Sequence, residues 1–422
     1  MRAVIYLLSL LILISPAVAE DWSMFKKDVS HSGYSSDPVN PPLVMKWVSN
    51  LGFDTDSSPI VVNGVLYIGS NYGIHALDAS SGRELWNIPS SGFIRSVPAV
   101  ADGTLYTGSE SKRFFAAIDT NGTIKWVYEN ATEGYLSSPA VVDNLAYVGS
   151  KDGNLYAMDI QAGQPYWFAS TGKGIDSSPA YSDGSVYAGN DNGVVFAFDS
   201  MNGNIRWRYY TDIGAIKSSP AVSNGLVFIG SDNGNIYALT SDKGLLKWKY
   251  STGNNIESSP SVKDGTVFVG SKDSNLYAID SLTGNLKWKY QAAGLVDSSP
   301  AISNDIVYFG SKNNFIYALD ANTGSLLWRN STGKKDKDYI TSPAISGNML
   351  YAATHSGFVY AYASSGPVQA TPIVTATMAV PTATPVSSPG ATATPVQTPK
   401  APGFEFAAVV LIIAVLIKKR SG

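Results

Sequence analysis

The chain has 422 residues, no cysteine, 15% charged residues and a formal net charge of −3. Disulfides, thiolate metal sites and cysteine nucleophiles are therefore excluded. The slightly acidic balance, with no basic patch, argues against nucleic acid as a partner. With 44% apolar residues, the chain can bury a large core as one domain.

In chain order, residues 1–19 carry Arg2, an apolar run from Val4 to Ile14, and Ala17-Val18-Ala19 before Glu20. This order reads as a secretory signal peptide cleaved after Ala19, the apolar run being too short for a full membrane span. Residues 20–42 form a lead-in of little periodicity. Its Trp22 and Phe25 are expected to pack across a blade or the channel base of the repeat domain. His31, with no acid or nucleophile in a recognisable pattern beside it, reads as structural.

From residue 43 to residue 365 the chain repeats. One unit, Ser258 to Trp288, contains four short runs rich in β-branched and aromatic residues, each bounded by Gly, Asn or Asp. Such runs predict four antiparallel strands. A Ser-Ser-Pro landmark places its proline at Pro59, Pro98, Pro139, Pro179, Pro220, Pro260, Pro300 and Pro343, at intervals of 39 to 43 residues. Trp47, Trp86, Trp126, Trp167, Trp207, Trp248, Trp288 and Trp328 keep the same period. Four strands every 40 or so residues is the signature of a propeller blade, so the fold class is all-β, an eight-bladed β-propeller. Leu43–Asn50 is a lone fourth-type strand, whereas the last repeat has three strands and no tryptophan strand. The N-terminal strand is expected to complete the last blade, which leaves no open sheet edge. Each Trp is expected to fill the wedge between adjacent blades, its indole N–H finding a carbonyl.

Ala278, Asp280, Gly284 and Trp288 recur as Ala76/Asp78/Gly82/Trp86, Ala157/Asp159/Gly163/Trp167, Ala197/Asp199/Gly203/Trp207 and Ala318/Asp320/Gly324/Trp328. Blade 2 keeps Asp119, Gly122 and Trp126 with one residue fewer, and blade 5 has Thr240 in place of the Asp. The pattern resembles the tryptophan-docking repeat of the pyrroloquinoline-quinone (PQQ) propellers. That resemblance implies the fold for about residues 43–363. Its members include quinoprotein dehydrogenases and cofactor-free propellers such as the bacterial outer-membrane assembly lipoprotein. In the enzymes, the quinone sits at the channel mouth with calcium, an Arg and acidic or amide ligands, a set that Arg95 with Asp176, Glu257 or Asp297 would mimic in part. Blades this short leave no insertions for a covering wall, so neither PQQ nor calcium is expected. Turns such as Asp191-Asn192-Gly193 lack alternating acidic ligands and read as plain turns, so no metal site is expected.

A specific site must come from positions where the repeats disagree. Three residues before each landmark proline stand Asp56, Arg95, Leu136, Asp176, Lys217, Glu257, Asp297 and Ile340. Apolar residues precede most of them, so by alternation this variable set is expected to ring one channel mouth. It allows two readings: a surface that binds a polar ligand or partner, or a self-neutralising hydrated rim.

Residues 366–401 hold seven prolines, eight threonines and one charge, a composition that stays extended as a stalk. Residues 402–422 begin Pro402-Gly403-Phe404, continue as an apolar run and end Lys418-Lys419-Arg420 before Ser421 and Gly422. This order resembles the archaeal C-terminal sorting signal that archaeosortases replace with a lipid; the alternative is a retained membrane anchor. Either tethers the propeller at the outer cell surface. Asn121, Asn130 and Asn330 lie in N-glycosylation acceptor sequences. The functional expectation is a non-enzymatic, monomeric binding or scaffolding module for an envelope protein or glycan. The alternatives are a PQQ-dependent dehydrogenase and a carbohydrate-active enzyme using carboxylates such as Asp176 and Glu257.

Overall fold

A computed structural model of the chain describes residues 19–90, 92–333 and 338–366. The leader through Val18, the Thr/Pro-rich stretch from residue 367 and the Pro402-Gly403-Phe404 segment lie outside the described residues. Among those described there are 33 strands and no helix. They form eight antiparallel four-stranded sheets arranged as a propeller. Blade 7 carries one more strand, Tyr34–Ser35, running parallel to Ala301–Ser303.

Blade 6 shows why this sequence folds as it does. Ser261–Lys263 turns back through Asp264-Gly265, with φ of 47° and 69°. Both central residues at positive φ make the type I′ turn, whose twist suits a two-residue hairpin. Thr266–Gly270 and Asn275–Asp280 are almost wholly buried, which their unbroken apolar runs require. Leu286–Gln291 ends the sheet and leaves alternate residues in solvent. Across the ring, the first strands of neighbouring blades meet one another, placing them around the central channel.

Closure is made by the two ends of the domain. Leu43–Asn50 pairs antiparallel with Phe358–Ser364, from Leu43 opposite Ser364 to Asn50 opposite Phe358, and forms the outer strand of blade 8. Every blade thus has four strands, although no single segment of the chain supplies blade 8.

Two sets of bonds hold the blades to one another. The Trp47 indole N–H donates to the Ala79 carbonyl at 3.0 Å, and Trp86, Trp126, Trp167, Trp207, Trp248 and Trp288 do the same to the next blade at 2.9–3.0 Å. Trp328 instead lies edge-on to Tyr362 in blade 8, centroids 5.5 Å apart. The second set comes from the Ser-Ser-Pro landmark. The N–H of Val97 donates to Ser138 Oγ, that of Ser138 to Ser178 Oγ, and so on through Ser219, Ser259, Ser299 and Ser342 to Ser58, at 2.8–3.1 Å. This girdle joins all eight blades and is open only between blades 1 and 2, where Val97 replaces the serine.

The motif glycine is required twice over at Gly203. Its φ is +72°, and a Cβ there would stand 2.6 Å from Trp167 Cε3. Gly203→Ala is therefore expected to cost about 2–4 kcal/mol, from left-handed strain and overpacking together. Gly64, with φ +74° and nothing within 4 Å of its Cβ position, is expected to lose only the strain component, about 1 kcal/mol. Urea unfolding of the two variants separates the contributions.

Candidate docking face at the open channel mouth

The lead-in fills one side of the channel. Trp22 exchanges two backbone hydrogen bonds with Val61, and the N–H groups of Val100, Tyr181, Val222, Val262 and Ile302 donate to carbonyls of Ser23, Val29, Ser30, Ser32 and Gly33. The segment thereby satisfies inner-strand groups that have no neighbour within their own sheets. Trp22 is buried in one apolar cluster with residues of blades 1, 2, 7 and 8, and Phe25 stands edge-on to His31, centroids 5.4 Å apart.

This filling is polar at its centre. Lys26 is 3% exposed and its ammonium reaches the carbonyls of Ser259 and Pro300 and the Ser261 hydroxyl. His31 is 2% exposed, and its Nδ1 lies 2.7 Å from the Pro220 carbonyl, so Nδ1 carries the proton and donates it. Burial drives the Lys26 pKa well down and the His31 pKa down to about 4, against the opposing pull of Asp28 on each. Asp28 accepts from the Ser30 and Ser32 N–H groups and fixes the bend between these residues.

On the Ser-Ser-Pro side stands the variable set. Asp56 meets Arg95 at 3.0 Å and His355 at 2.7 Å and accepts from the Tyr339 hydroxyl, while Arg95 also reaches Glu110 at 2.9 Å. Asp176 pairs with Lys151 at 2.9 Å, and Asp297 with Lys312 at 2.7 Å. Lys217 bridges Glu257 at 2.9 Å and Asp232 at 3.3 Å, and Glu257 takes a second cation, Lys272, at 2.8 Å. The second partners come from the turn between the middle strands of each blade, whose sequence, as at Asp191-Asn192-Gly193, reads as a plain turn once a metal loop is set aside. Glu110, Lys151, Asp232, Lys272, Lys312 and His355 all occupy its equivalent position, two residues after the strand-ending Gly or Ala. They form an outer tier around the inner one.

The position of Ile340 corrects the expected ring. Blade 8 is one residue shorter before its proline, so Ile340 is 3% exposed and packs under Gly310, as Ile256 does under Gly230. Thr341 takes the next position, and Leu136 is the one uncharged inner-tier residue with a partly open side chain.

Burial pushes the Glu257 carboxyl up, but hydrogen bonds from Lys272 and Lys217 more than offset this and leave it below the usual range. Lys217 is raised, chiefly by its bond to Glu257. A carboxyl held ionised in this way is a poor proton donor at neutral pH, which removes the basis for Glu257 as the acid of a glycosidase. The residues also do not fit a quinone–calcium pair. Arg95 is engaged by two carboxylates, Asp176, Glu257 and Asp297 are tied to lysines, and the described residues contain no group of three His, Asp or Glu placed to hold a metal ion.

Elsewhere, Asn121 and Asn130 are exposed and Asn330 is half-buried. The perimeter is more basic than the net charge suggests. Around the tryptophans of blades 4 to 6, Arg206 and Arg208, Lys247 and Lys249, and Lys287 and Lys289 all face solvent. Three of them are locally neutralised, Arg206 by Asp199, Lys249 by Asp212 and Lys287 by Asp280.

A family model described as outer membrane protein assembly factor BamB matches residues 44–250 and 191–384. BamB of Yersinia pestis is 30% identical over 137 residues, 29% of this chain and 35% of that protein. The quinohemoprotein alcohol dehydrogenase of Comamonas testosteroni is 25% identical over 178 residues, 35% of this chain and 25% of the enzyme. These alignments span at most about a third of the curated relatives' length. Among solved structures, BamB from Moraxella catarrhalis superposes with a TM-score of 0.67 at 20% identity, covering 78% of this chain and 99% of that one.

Proposed function

Because the chain belongs to the family described as outer membrane protein assembly factor BamB, we propose that it is a non-enzymatic scaffolding module of the cell envelope, docking a protein partner on its open channel mouth. The observation that carries this reading is the two-tiered rim of alternating Asp, Glu, Lys and Arg. With the opposite side filled by residues 22–35, it is the mouth that no described segment covers. Charge pairs of mixed sign select a partner and its register more than they add raw affinity. A glycan is the second occupant, and it offers no charges to match the Asp, Glu, Lys and Arg of the rim.

The predicted leader, the Thr/Pro-rich stalk and the Pro402-Gly403-Phe404 segment complete the proposal as export, spacing and tethering at the outer face of the cell. Their order along the chain supports it. Glu257→Lys, which sets three cations together, is expected to weaken partner capture from envelope extracts at least tenfold. It should shift the melting temperature by only a few degrees, because ion pairs still in contact with solvent contribute about 1 kcal/mol or less. Undiminished capture by this variant would place the docking surface elsewhere, and binding on a glycan array that the variant abolishes would favour the carbohydrate occupant.

A further inference from the structure

The wedge between blades 1 and 2 differs from the other seven. In four of the wedges the residue two after the docking Trp sets its ring near that of the residue preceding the motif Ala on the third strand of the next blade. Tyr128 meets Tyr156, Tyr209 meets Tyr237, Tyr250 meets Tyr277 and Tyr290 meets Tyr317, with centroids 5.8–6.2 Å apart. The remaining wedges keep one ring, from Phe196, Tyr360 or His75. Between blades 1 and 2 the facing residues are Ile88 and Ala116, so neither side supplies a ring. The serine girdle is also open at this interface.

The missing rings leave a cleft of about 310 Å3. Its walls are Ile74, Ile88, Phe114, Ala116, Ile118 and Ile124, and Lys112 and Glu129 stand among its lining residues. Both charges are exposed, and neither makes an ion pair among the described residues. Lys112 belongs to the same turn as Glu110 of the rim, so the cleft continues the charged face outward.

We infer that this cleft receives an aromatic side chain of the docked protein partner, flanked by an acidic residue facing Lys112 and a basic residue facing Glu129. The sister blades define the occupant, since in them this space holds at least one aromatic ring, most often tyrosine. The volume is ample for one ring, a cavity of about 150 Å3 lined by apolar side chains being enough for benzene. The two unpaired charges supply the complementarity that a bare apolar slot lacks. A buried aromatic anchor beside a polar rim is also how binding energy concentrates in protein interfaces.

This inference rests on the proposed docking at the channel mouth, and the test separates the two. The whole protein, labelled at isoleucine methyl groups, is titrated with the capped peptide acetyl-Glu-Tyr-Lys-amide and, as a control, with acetyl-Glu-Ala-Lys-amide. The expected result is saturable shifts of the Ile74, Ile88, Ile118 and Ile124 methyls with the tyrosine peptide alone. Ala116→Tyr, which refills the wedge from within, should weaken that binding at least tenfold and raise the melting temperature. Ala116→Val, a milder filling, should give an intermediate loss. Glu257→Lys should leave the peptide titration unchanged, since it alters only the rim. Equal shifts with both peptides, or full binding by the Val and Tyr variants, would overturn the inference. If partner capture persisted in Ala116→Tyr while Glu257→Lys lost it, the cleft would fail and the docking reading would stand.

Discussion

A protein that begins at Leu51 is expected to melt about 20 °C lower than one that begins at Glu20, and to self-associate. The truncation removes five buried apolar side chains, Trp22, Met24, Val39, Leu43 and Trp47. At about 1.5–3 kcal/mol each, their loss is on the order of 10 kcal/mol. For a domain of this size each kcal/mol moves the midpoint by about 2 °C. Association has a geometric cause, since Phe358–Ser364 becomes an unpaired apolar edge once its partner strand is gone. Calorimetry with gel filtration reads both effects, and a monomer with an unchanged midpoint would show that blade 8 does not depend on Leu43–Asn50.

The second large effect is a loss of stability in mild acid, set by the filling of the channel. His31 is held down to about 4 in the folded protein against an ordinary value of 6.5. Between these values the unfolded chain takes up a proton that the folded chain refuses. Stability is thus fully present above pH 6.5 and lost as pH falls toward 4, by about 3 kcal/mol for this group alone. Lys26 acts in the same sense, because burial lowers its pKa too and its contribution declines as pH falls below 10.5. His31 has a φ of 60°, a conformation that Asn also tolerates. His31→Asn retains an N–H for the Pro220 carbonyl and should flatten the profile between pH 6.5 and 4. Equal pH slopes for the two proteins in urea titrations would contradict this assignment.

The propeller itself was legible because each blade repeats the same physical solution. The period of the prolines and tryptophans gives the blade count, and the lone strand at residue 43 answers the missing one after Ser364. The rim was half legible. Asp56, Arg95, Asp176, Lys217, Glu257 and Asp297 stood out as the places where the repeats disagree, but their partners lie across a turn or in a neighbouring blade. A neutralised rim therefore looks, in sequence, like a row of free charges. Ile340 was misplaced because blade 8 lacks one residue before its proline, which moves an apolar side chain into the register of a charged one.

Two features needed the repeats to be compared residue by residue. The Ser-Ser-Pro landmark reads as a marker until its N–H and hydroxyl groups are seen to bond from blade to blade. Val97, Ile88 and Ala116 are ordinary residues singly, and only their shared interface makes them a gap in an otherwise regular ring. The course of residues 22–35 through the channel has no periodic signal, since its bonds are to backbone groups that any sequence offers.

Photo-crosslinking in the native envelope tests the docking reading most directly, with a crosslinking residue placed at Lys272 on the rim or at Asp264 on the opposite side. Docking at the open mouth predicts one discrete protein adduct from position 272, lost when Glu257→Lys is added, and none from position 264. An adduct from position 264 alone, or adducts at 272 indifferent to Glu257→Lys, would contradict it.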